Sequence, residues 1–237
     1  MSTDTKVKER PILFSGPMVR AILDGRKTQT RRVLKDQPTD KLDGRWSWIA
    51  SSSERSETGK FQYSWPDLDG NAFTIRGREQ AVRYRCPYGS VGERLWVRET
   101  WMPFDYDHRP PSYAYRADVT QEGEDLRKEY VKCGRQYQWR PSIHMPRKAS
   151  RITLEITGVR IERLNDIDLA DCIAEGIEWK YRDDKTTHWR DYSGLDVSCT
   201  TSAYFSYQTL WESINGPLSW SLNPWVWVVE FKRIENL

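Results

Sequence analysis

Hydrophobic and polar residues alternate over several stretches of the chain, and this period of two is typical of β-strands. The clearest stretch is 151–164, "RITLEITGVRIERL", where every second residue from Ile152 to Ile156 is apolar. The same period is found at 94–98. It is found again in "NPWVWVVEFKRI", where it predicts one shared face for Trp225, Trp227, Val229 and Phe231. A further strand is predicted from Thr28 to Val33.

Three other stretches have the three-to-four-residue spacing of amphipathic helices. In 15–25, "SGPMVRAILDG", Ser15 is the expected cap, and Met18, Ala21 and Ile22 form the apolar face. In 165–176, Asp166 or Asp168 is the expected cap, Gly176 ends the helix, and the predicted apolar face contains Leu169, Cys172 and Ile173. In 202–217, the predicted face contains Tyr207, Leu210, Trp211 and Ile214.

Strands that are interrupted by a few helices, without regular βαβ alternation, predict an α+β fold built on a small barrel or a curled sheet. The length of 237 residues fits a single domain over 11–237, preceded by a disordered polar tail over 1–10. Two polar regions, 36–80 and 103–140, are interpreted as insertions. The first is expected to contain a hairpin, and the second is expected to be irregular.

The charge is almost balanced, with 37 Lys and Arg against 34 Asp and Glu, so any nucleic-acid surface has to be a local basic patch. Twelve Trp and twelve Tyr are more than a core of this size needs, although most are expected to pack inside it. The four cysteines lack the spacing of a zinc site or a disulfide framework, which indicates a reducing, cytoplasmic location. The sequence shows no signal peptide and no membrane-spanning run, and it does not indicate an oligomeric state.

The stretch "GRKTQTRR", residues 25–32, combines positive charge with threonines. A desolvated lysine with a lowered pKa can take the proton of a hydroxyl, so Lys27 and Thr30 can form an activated nucleophile if a bend brings them together. In a regular strand their side chains point to opposite faces. A solvated basic loop and an anion-binding loop remain open as alternatives.

Other candidates are isolated polar residues in suggestive positions. Glu175 lies in the last turn of a predicted helix, where the helix dipole disfavours negative charge. Glu99 and Trp101 follow a predicted core strand and can line a cleft at its end. His144 lies among prolines and cations, where it serves either as a base or as an ordinary loop histidine. The three histidines show no paired metal-binding spacing.

The order of these segments resembles the ASCH superfamily, and more closely its larger members, which phages and prophages often encode. The resemblance depends on "GRKTQTRR", "GERLWVRETW", "RITLEITGVRIERL", "LADCIAEGI" and "VWVVEFKRI". It implies a PUA-like barrel and a role with modified nucleosides or RNA. About half of the chain carries it, and the regions 36–80 and 103–140 do not match the small members.

The resemblance also implies a reaction. Small bacterial ASCH proteins include an amidohydrolase that removes the acyl group from N4-acetylcytidine with a Lys-Thr-Glu triad, which corresponds here to Lys27, Thr30 and Glu175. Thr30 is then the nucleophile, Lys27 its base and Glu175 the residue that holds the lysine, with no metal or other cofactor.

In this scheme Arg26, Arg31 and Arg32 contact a phosphate or a carbonyl oxygen, and Arg31 or Arg32 stabilises the oxyanion. Glu99, Trp101 and His144 are the other expected substrate contacts. The expected partner is a nucleoside, with RNA or DNA as the polymeric alternative.

Two other functions remain open from the sequence. One is a PUA-like module that binds RNA or DNA without catalysis, and the other is a metal-dependent ribonuclease. Under any of these three functions, the insertion 36–80 is expected to cover the cleft as a partial lid, with Trp46, Trp48 or Trp65 near the bound base.

Overall fold

A computed structural model describes residues 7–37, 72–76, 81–104, 112–132, 138–182, 186–194 and 199–234 of the chain. Its regular elements form a mixed α+β fold, as the alternation of patterns predicts. The helices are α1 (Gly16–Leu23), α2 (Gln121–Lys132), α3 (Leu169–Ala174) and α4 (Ala203–Asn215). The strands are β1 (Glu9–Leu13), β2 (Gln29–Val33), β3 (Ala72–Arg76), β4 (Ala81–Arg85), β5 (Arg94–Arg98), β6 (Trp101–Phe104), β7 (Ser112–Tyr115), β8 (Thr153–Arg163), β9 (Trp179–Arg182), β10 (Thr187–Arg190), β11 (Cys199–Thr200) and β12 (Trp225–Ile234).

The chain divides into two compact units, and each consists of segments that are distant in sequence. The first contains Met1–Arg26, Gly92–Glu155 and Lys232–Leu237, and the second contains Lys27–Val91 and Ile156–Phe231. Strand β8 begins in the first unit and continues in the second. The single domain expected over 11–237 stays a prediction.

In the first unit, β5 pairs in parallel with β1, and it pairs antiparallel with the first residues of β8. Leu95, Trp96 and Val97 are all buried, so both faces of β5 are covered, whereas the period of two suggested one covered face. Strands β6 and β7 form an antiparallel pair beside a small core of Trp101, Met145 and Ala149.

Three sequence expectations about this unit are corrected. Strand β1 begins at Glu9, inside the tail that was expected to be disordered, because its backbone pairs with β5. The region 103–140 is not irregular, since it contains β7 and the twelve-residue helix α2. Ser15 occupies the N-cap position of α1, but its side chain makes no capping hydrogen bond.

In the second unit, β12 pairs antiparallel with β2, from Val226 opposite Val33 to Glu230 opposite Gln29. The five residues Trp225–Val229 are all buried, so β12, like β5, is covered on both faces. Strands β9, β10 and β11 form a separate antiparallel sheet, and β3 pairs with β4 as a hairpin at the end of the first insertion. None of the sheets that the described residues form closes into a barrel.

The main core of the second unit is formed by helices α3 and α4, strand β12 and the loops next to them. Its buried members are Leu164, Ile167, Cys172, Ile177, Ala203, Tyr207, Trp211, Trp220, Val226 and Val228. The predicted apolar face of α3 is wrong in part, because Leu169 and Ile173 are 64% and 41% exposed while Cys172 is buried. Asp171 of α3 instead pairs with Arg31 and Arg160.

Candidate functional site

Lys27 lies in the second unit, where its backbone bridges that of Glu175. Its amine donates hydrogen bonds to the Glu175 carboxylate oxygen Oε2 at 2.8 Å and to the Glu175 main-chain oxygen at 2.9 Å. The next residue, Thr28, donates its amide proton to Ala174. The basic run is therefore not a solvated loop at this point, because Lys27 is only 2% exposed.

Glu175 is the C-cap residue of α3, and Gly176, with φ of +86°, ends the helix. Unpaired carbonyl groups and the helix dipole make this end negative, which is unfavourable for a carboxylate. The amine of Lys27 compensates both the carbonyl and the carboxylate of Glu175. The sequence expectation that another group requires a carboxylate here agrees with this contact.

Arg31 binds the other oxygen of the same carboxylate. Its Nη1 donates to Glu175 Oε1 at 3.2 Å, its Nη2 donates to Asp171 at 2.6 Å, and its Nε donates to Glu162 at 3.0 Å. The side chain is fully buried. Arg31 therefore does not reach a substrate oxyanion in this arrangement, since its guanidinium is surrounded by three carboxylates. Its expected role as a substrate contact stays a prediction, which this pairing does not favour.

Arg160 extends this group of charges along β8. It pairs with Glu162, with Asp171 at 2.6 Å and with Glu230. We call Lys27, Arg31, Arg160, Glu162, Asp171, Glu175 and Glu230 the ion cluster. Its members on β8 were not identified from the sequence, although Arg160 and Glu162 are two residues apart in a strand and so share a face.

Burial and pairing act in opposite directions on the ionisable groups of the ion cluster. Burial lowers the pKa of Lys27, and the opposing attraction of Glu175 does not restore it to the ordinary lysine value. Burial also disfavours the charge of Arg31, but Glu175, Glu162 and Asp171 overcome this and raise its pKa. Asp171 is affected by burial too, yet Arg31 and Arg160 hold its pKa below the usual range. Lys27 is thus the cation of this group that releases its proton most readily.

Two further groups lie in the apolar core near this site. Burial raises the pKa of the Cys172 thiol to about 12 and raises that of the Tyr207 phenol well above its ordinary value. Both side chains are therefore neutral near pH 7. A neutral thiol is a poor nucleophile, which does not favour covalent chemistry at Cys172.

Thr30 is buried and lies opposite Val229 in the pairing of β2 with β12. Its neighbours Gln29 and Arg31 both reach α3, the first through a 3.0 Å hydrogen bond to the Asp171 carbonyl. Because strand residues alternate, Thr30 points to the other face of β2. Lys27 precedes β2, so this alternation does not fix its side chain relative to Thr30, and a direct contact between them stays a prediction.

Arg32 shares the face of Thr30 by the same alternation and is half-buried. Its charge contributes to lowering the pKa of Lys27. Of the three arginines in the basic run, Arg32 is therefore the one within the second unit that remains a candidate substrate contact.

The remaining candidates belong to the first unit. Arg26 pairs with Asp24 at 2.9 Å. Glu99 is 1% exposed and forms a two-pronged ion pair with Arg151, at 2.9 and 3.0 Å. Burial raises the pKa of Glu99, and Arg151 only partly opposes this effect. Glu99 is thus a buried, paired carboxylate, which does not support a direct substrate contact.

Trp101 and His144 have opposite environments. Trp101 is 4% exposed and packs with Met145 and Ala149, which does not favour stacking on a base, and its expected substrate contact stays a prediction. His144 is exposed at the end of a short 3₁₀ helix, where its backbone amide bonds to Pro141.

Comparison with family models, with curated proteins and with solved structures finds no match for this chain. Among the described residues, no three His, Cys, Asp or Glu side chains are arranged to hold a metal ion. In the same part of the chain, no helix is both long and apolar enough to cross a membrane. The expected lid residues Trp46, Trp48 and Trp65 lie outside the described residues.

Proposed function

We propose that this protein is an amidohydrolase that removes the acyl group from N4-acylated cytosine nucleosides or a related modified base. The observation that carries the proposal is the buried pair of Lys27 and Glu175, with the amine 2.8 Å from the carboxylate. A general base has to lose its proton near the working pH, and burial moves the pKa of Lys27 in that direction. The resemblance to the ASCH superfamily supplies the reaction, and the PUA-like arrangement is part of the same proposal.

In the proposed mechanism, Lys27 takes the hydroxyl proton of Thr30 as the Thr30 oxygen attacks the acyl carbonyl. The exocyclic amine of the cytosine leaves with the proton from Lys27, and the acyl group remains as an ester on Thr30. Water that is deprotonated by Lys27 then hydrolyses the ester and restores the hydroxyl. Arg32 is the proposed donor to the carbonyl oxygen as negative charge develops.

The test is hydrolysis of N4-acetylcytidine by the purified protein, followed by separation of cytidine from the substrate. Lys27→Met and Thr30→Ala are each expected to reduce kcat at least about a hundredfold, the usual contribution of a positioned base. Lys128→Met is the matched control, because Lys128 is exposed on α2 and pairs with Asp125. The assignment is wrong if both site variants retain the wild-type rate.

A second candidate function is binding of single-stranded nucleic acid without hydrolysis. It is favoured by two aromatic side chains of β9, since Trp179 and Tyr181 are 59% and 50% exposed and Lys180 lies between them. Exposed rings beside cations suit stacked bases and their phosphates. A steep fall in oligonucleotide affinity with salt, together with no hydrolysis of acylated nucleosides, would select this function. Cleavage of RNA that a chelator abolishes would instead select a metal-dependent ribonuclease.

A further inference from the structure

The two oxygens of the Glu175 carboxylate have different partners. Oε2 accepts from the amine of Lys27 at 2.8 Å, and Oε1 accepts from Nη1 of Arg31 at 3.2 Å. The Glu175 side chain is only 5% exposed, so few alternative partners are available from solvent. The direction of the oxygen that faces Lys27 therefore depends on how the other oxygen is held.

Arg31 is itself fixed by other carboxylates. Its Nε binds Glu162 at 3.0 Å and its Nη2 binds Asp171 at 2.6 Å, while the side chain has no exposed surface. Asp171 lies one helical turn before Glu175, so the guanidinium of Arg31 binds the carboxylates of two successive turns. The planar fork of arginine suits this multiple pairing, which a lysine amine cannot reproduce with one point charge.

The strand and the helix are also linked next to this contact. Gln29 Nε2 donates to the Asp171 carbonyl at 3.0 Å, and the Thr28 amide donates to the Ala174 carbonyl at 2.9 Å. These bonds fix β2 and the residue before it, Thr28, against α3. Arg31 and Lys27 then reach the same carboxylate from two fixed points of one chain segment.

We propose that Arg31 is a positioning residue, which holds one oxygen of Glu175 so that the other faces the amine of Lys27 and controls its protonation. The inference rests on the proposed function for its catalytic meaning, because it assigns Arg31 to the orientation of the base. It replaces the role in oxyanion stabilisation that the sequence suggested for this residue. Arg31 acts through Glu175 and does not touch the substrate.

The decisive measurement is the titration of Lys27 itself, in the intact protein with ¹³Cε-labelled lysine, by NMR. The resonance is assigned by its absence from Lys27→Met. Arg31→Lys keeps the positive charge but loses the fork that holds Oε1, so Glu175 is no longer held against the amine and the ammonium form of Lys27 is disfavoured. The titration midpoint is expected to fall by about one pH unit in Arg31→Lys, and to lie higher in Arg31→Gln than in Arg31→Lys, because Gln also removes a positive charge near the amine.

The pH profile of activity is a second measurement, and it would not change if Arg31 only stabilised the fold. The low-pH limb of the kcat profile of Arg31→Lys is expected to move to lower pH with the Lys27 midpoint, while KM changes little. Arg190→Lys is the matched control, since Arg190 pairs with Glu178 at 2.9 Å in the same compact unit and should leave the midpoint unchanged. Arg31→Lys keeps the positive charge and is the variant on which the conclusion depends.

The outcomes separate this inference from the proposed function. A midpoint of Lys27 in Arg31→Lys that is unchanged or raised would overturn the positioning role, even if the wild-type protein hydrolyses acylated nucleosides. A lowered midpoint in Arg31→Lys, in a protein that hydrolyses no acylated nucleoside, would support the action of Arg31 on Lys27 and reject the proposed reaction.

Discussion

The amine of Lys27 shows how two physical effects compete at a single residue. Removal from water disfavours its charge and lowers its pKa, while the carboxylate of Glu175 at 2.8 Å favours the charge and raises the pKa. Burial is the larger of the two effects. A buried ion pair of this kind contributes little net stability, because desolvation offsets most of the attraction. Stability alone therefore does not account for its presence in the core.

The pH dependence of unfolding should report this competition. Unfolded lysine keeps its proton up to about pH 10.4, whereas folded Lys27 loses it at lower pH. Between these two values the unfolded state binds more protons, so stability rises with pH. Relative to Lys27→Met, the wild-type protein should gain up to about 1.4 kcal/mol per pH unit within this window. Urea titrations of both proteins from pH 7 to 10.5 measure the difference, and parallel curves would contradict it.

In the first unit, burial and pairing also act in opposite directions on Glu99, whose partner is Arg151. Arg151→Met leaves a carboxylate that is 2% exposed without its two hydrogen bonds, so we expect a loss of about 2–3 kcal/mol. This is below the usual cost for a fully buried pair, because Arg151 is a quarter exposed. Adding Glu99→Gln to that variant should restore part of the loss, and denaturant unfolding of the two single variants and the double variant measures it.

At the scale of elements, the helices differ in whether a capping side chain accepts a hydrogen bond from a backbone amide of the first turn. Asp168 accepts the Asp171 amide at 2.8 Å at the start of α3, and Ser202 accepts the Phe205 amide at 3.1 Å at the start of α4. Ser15 makes no such bond at the start of α1, where Pro17 occupies the first turn. A capping residue in the sequence therefore marks a helix start without showing that the cap is formed.

Substitution of the three caps by alanine should separate these cases. Asp168→Ala and Ser202→Ala are expected to lower the free energy of unfolding by about 1 kcal/mol each, since each leaves an amide without its partner. Ser15→Ala should change it by only a few tenths of that amount. Thermal and urea unfolding of the three variants provide the comparison, and an equal loss in all of them would show that Ser15 caps α1 in solution.

At the scale of the whole molecule, tryptophan is used mainly for packing among the described residues, whereas Tyr207 is the one described tyrosine that is buried. Most tryptophans with described side chains are buried, namely Trp96, Trp101, Trp211, Trp220, Trp225 and Trp227. Rings of this size contribute much apolar area to the core. Trp179, which is 59% exposed, is the clear exception among the described tryptophans.

Trp220 and Trp179 therefore provide a matched pair of aromatic substitutions. Trp220 is 6% exposed, and its ring meets Tyr204 edge-on at 5.1 Å and Tyr207 at 6.0 Å. Trp220→Ala should lower stability by about 3–5 kcal/mol, as is usual for a core aromatic residue. Trp179→Ala should leave the melting temperature almost unchanged but weaken oligonucleotide binding if the second candidate function is correct. Calorimetry and fluorescence anisotropy measure the two effects.

Local sequence patterns determined the existence and type of several elements of this fold. Apolar spacing and glycine stops located α1, α3 and α4, and alternation located β5, β8 and β12. These features depend on neighbours within a few residues, so a single sequence contains them. The same locality explains the failures, because the position of β1 depends on pairing with β5, more than eighty residues later in the chain.

The family resemblance singled out Lys27 and Glu175 as candidates, and residue chemistry and the helix end made them plausible. Only the tertiary structure decided how they are used, because their contact spans 148 positions of the chain. It brought Glu162 and Asp171 to Arg31, and so buried a guanidinium that had looked available to a substrate. Charge in a sequence is a property of each residue, whereas burial and pairing are set by segments that meet only when the chain folds.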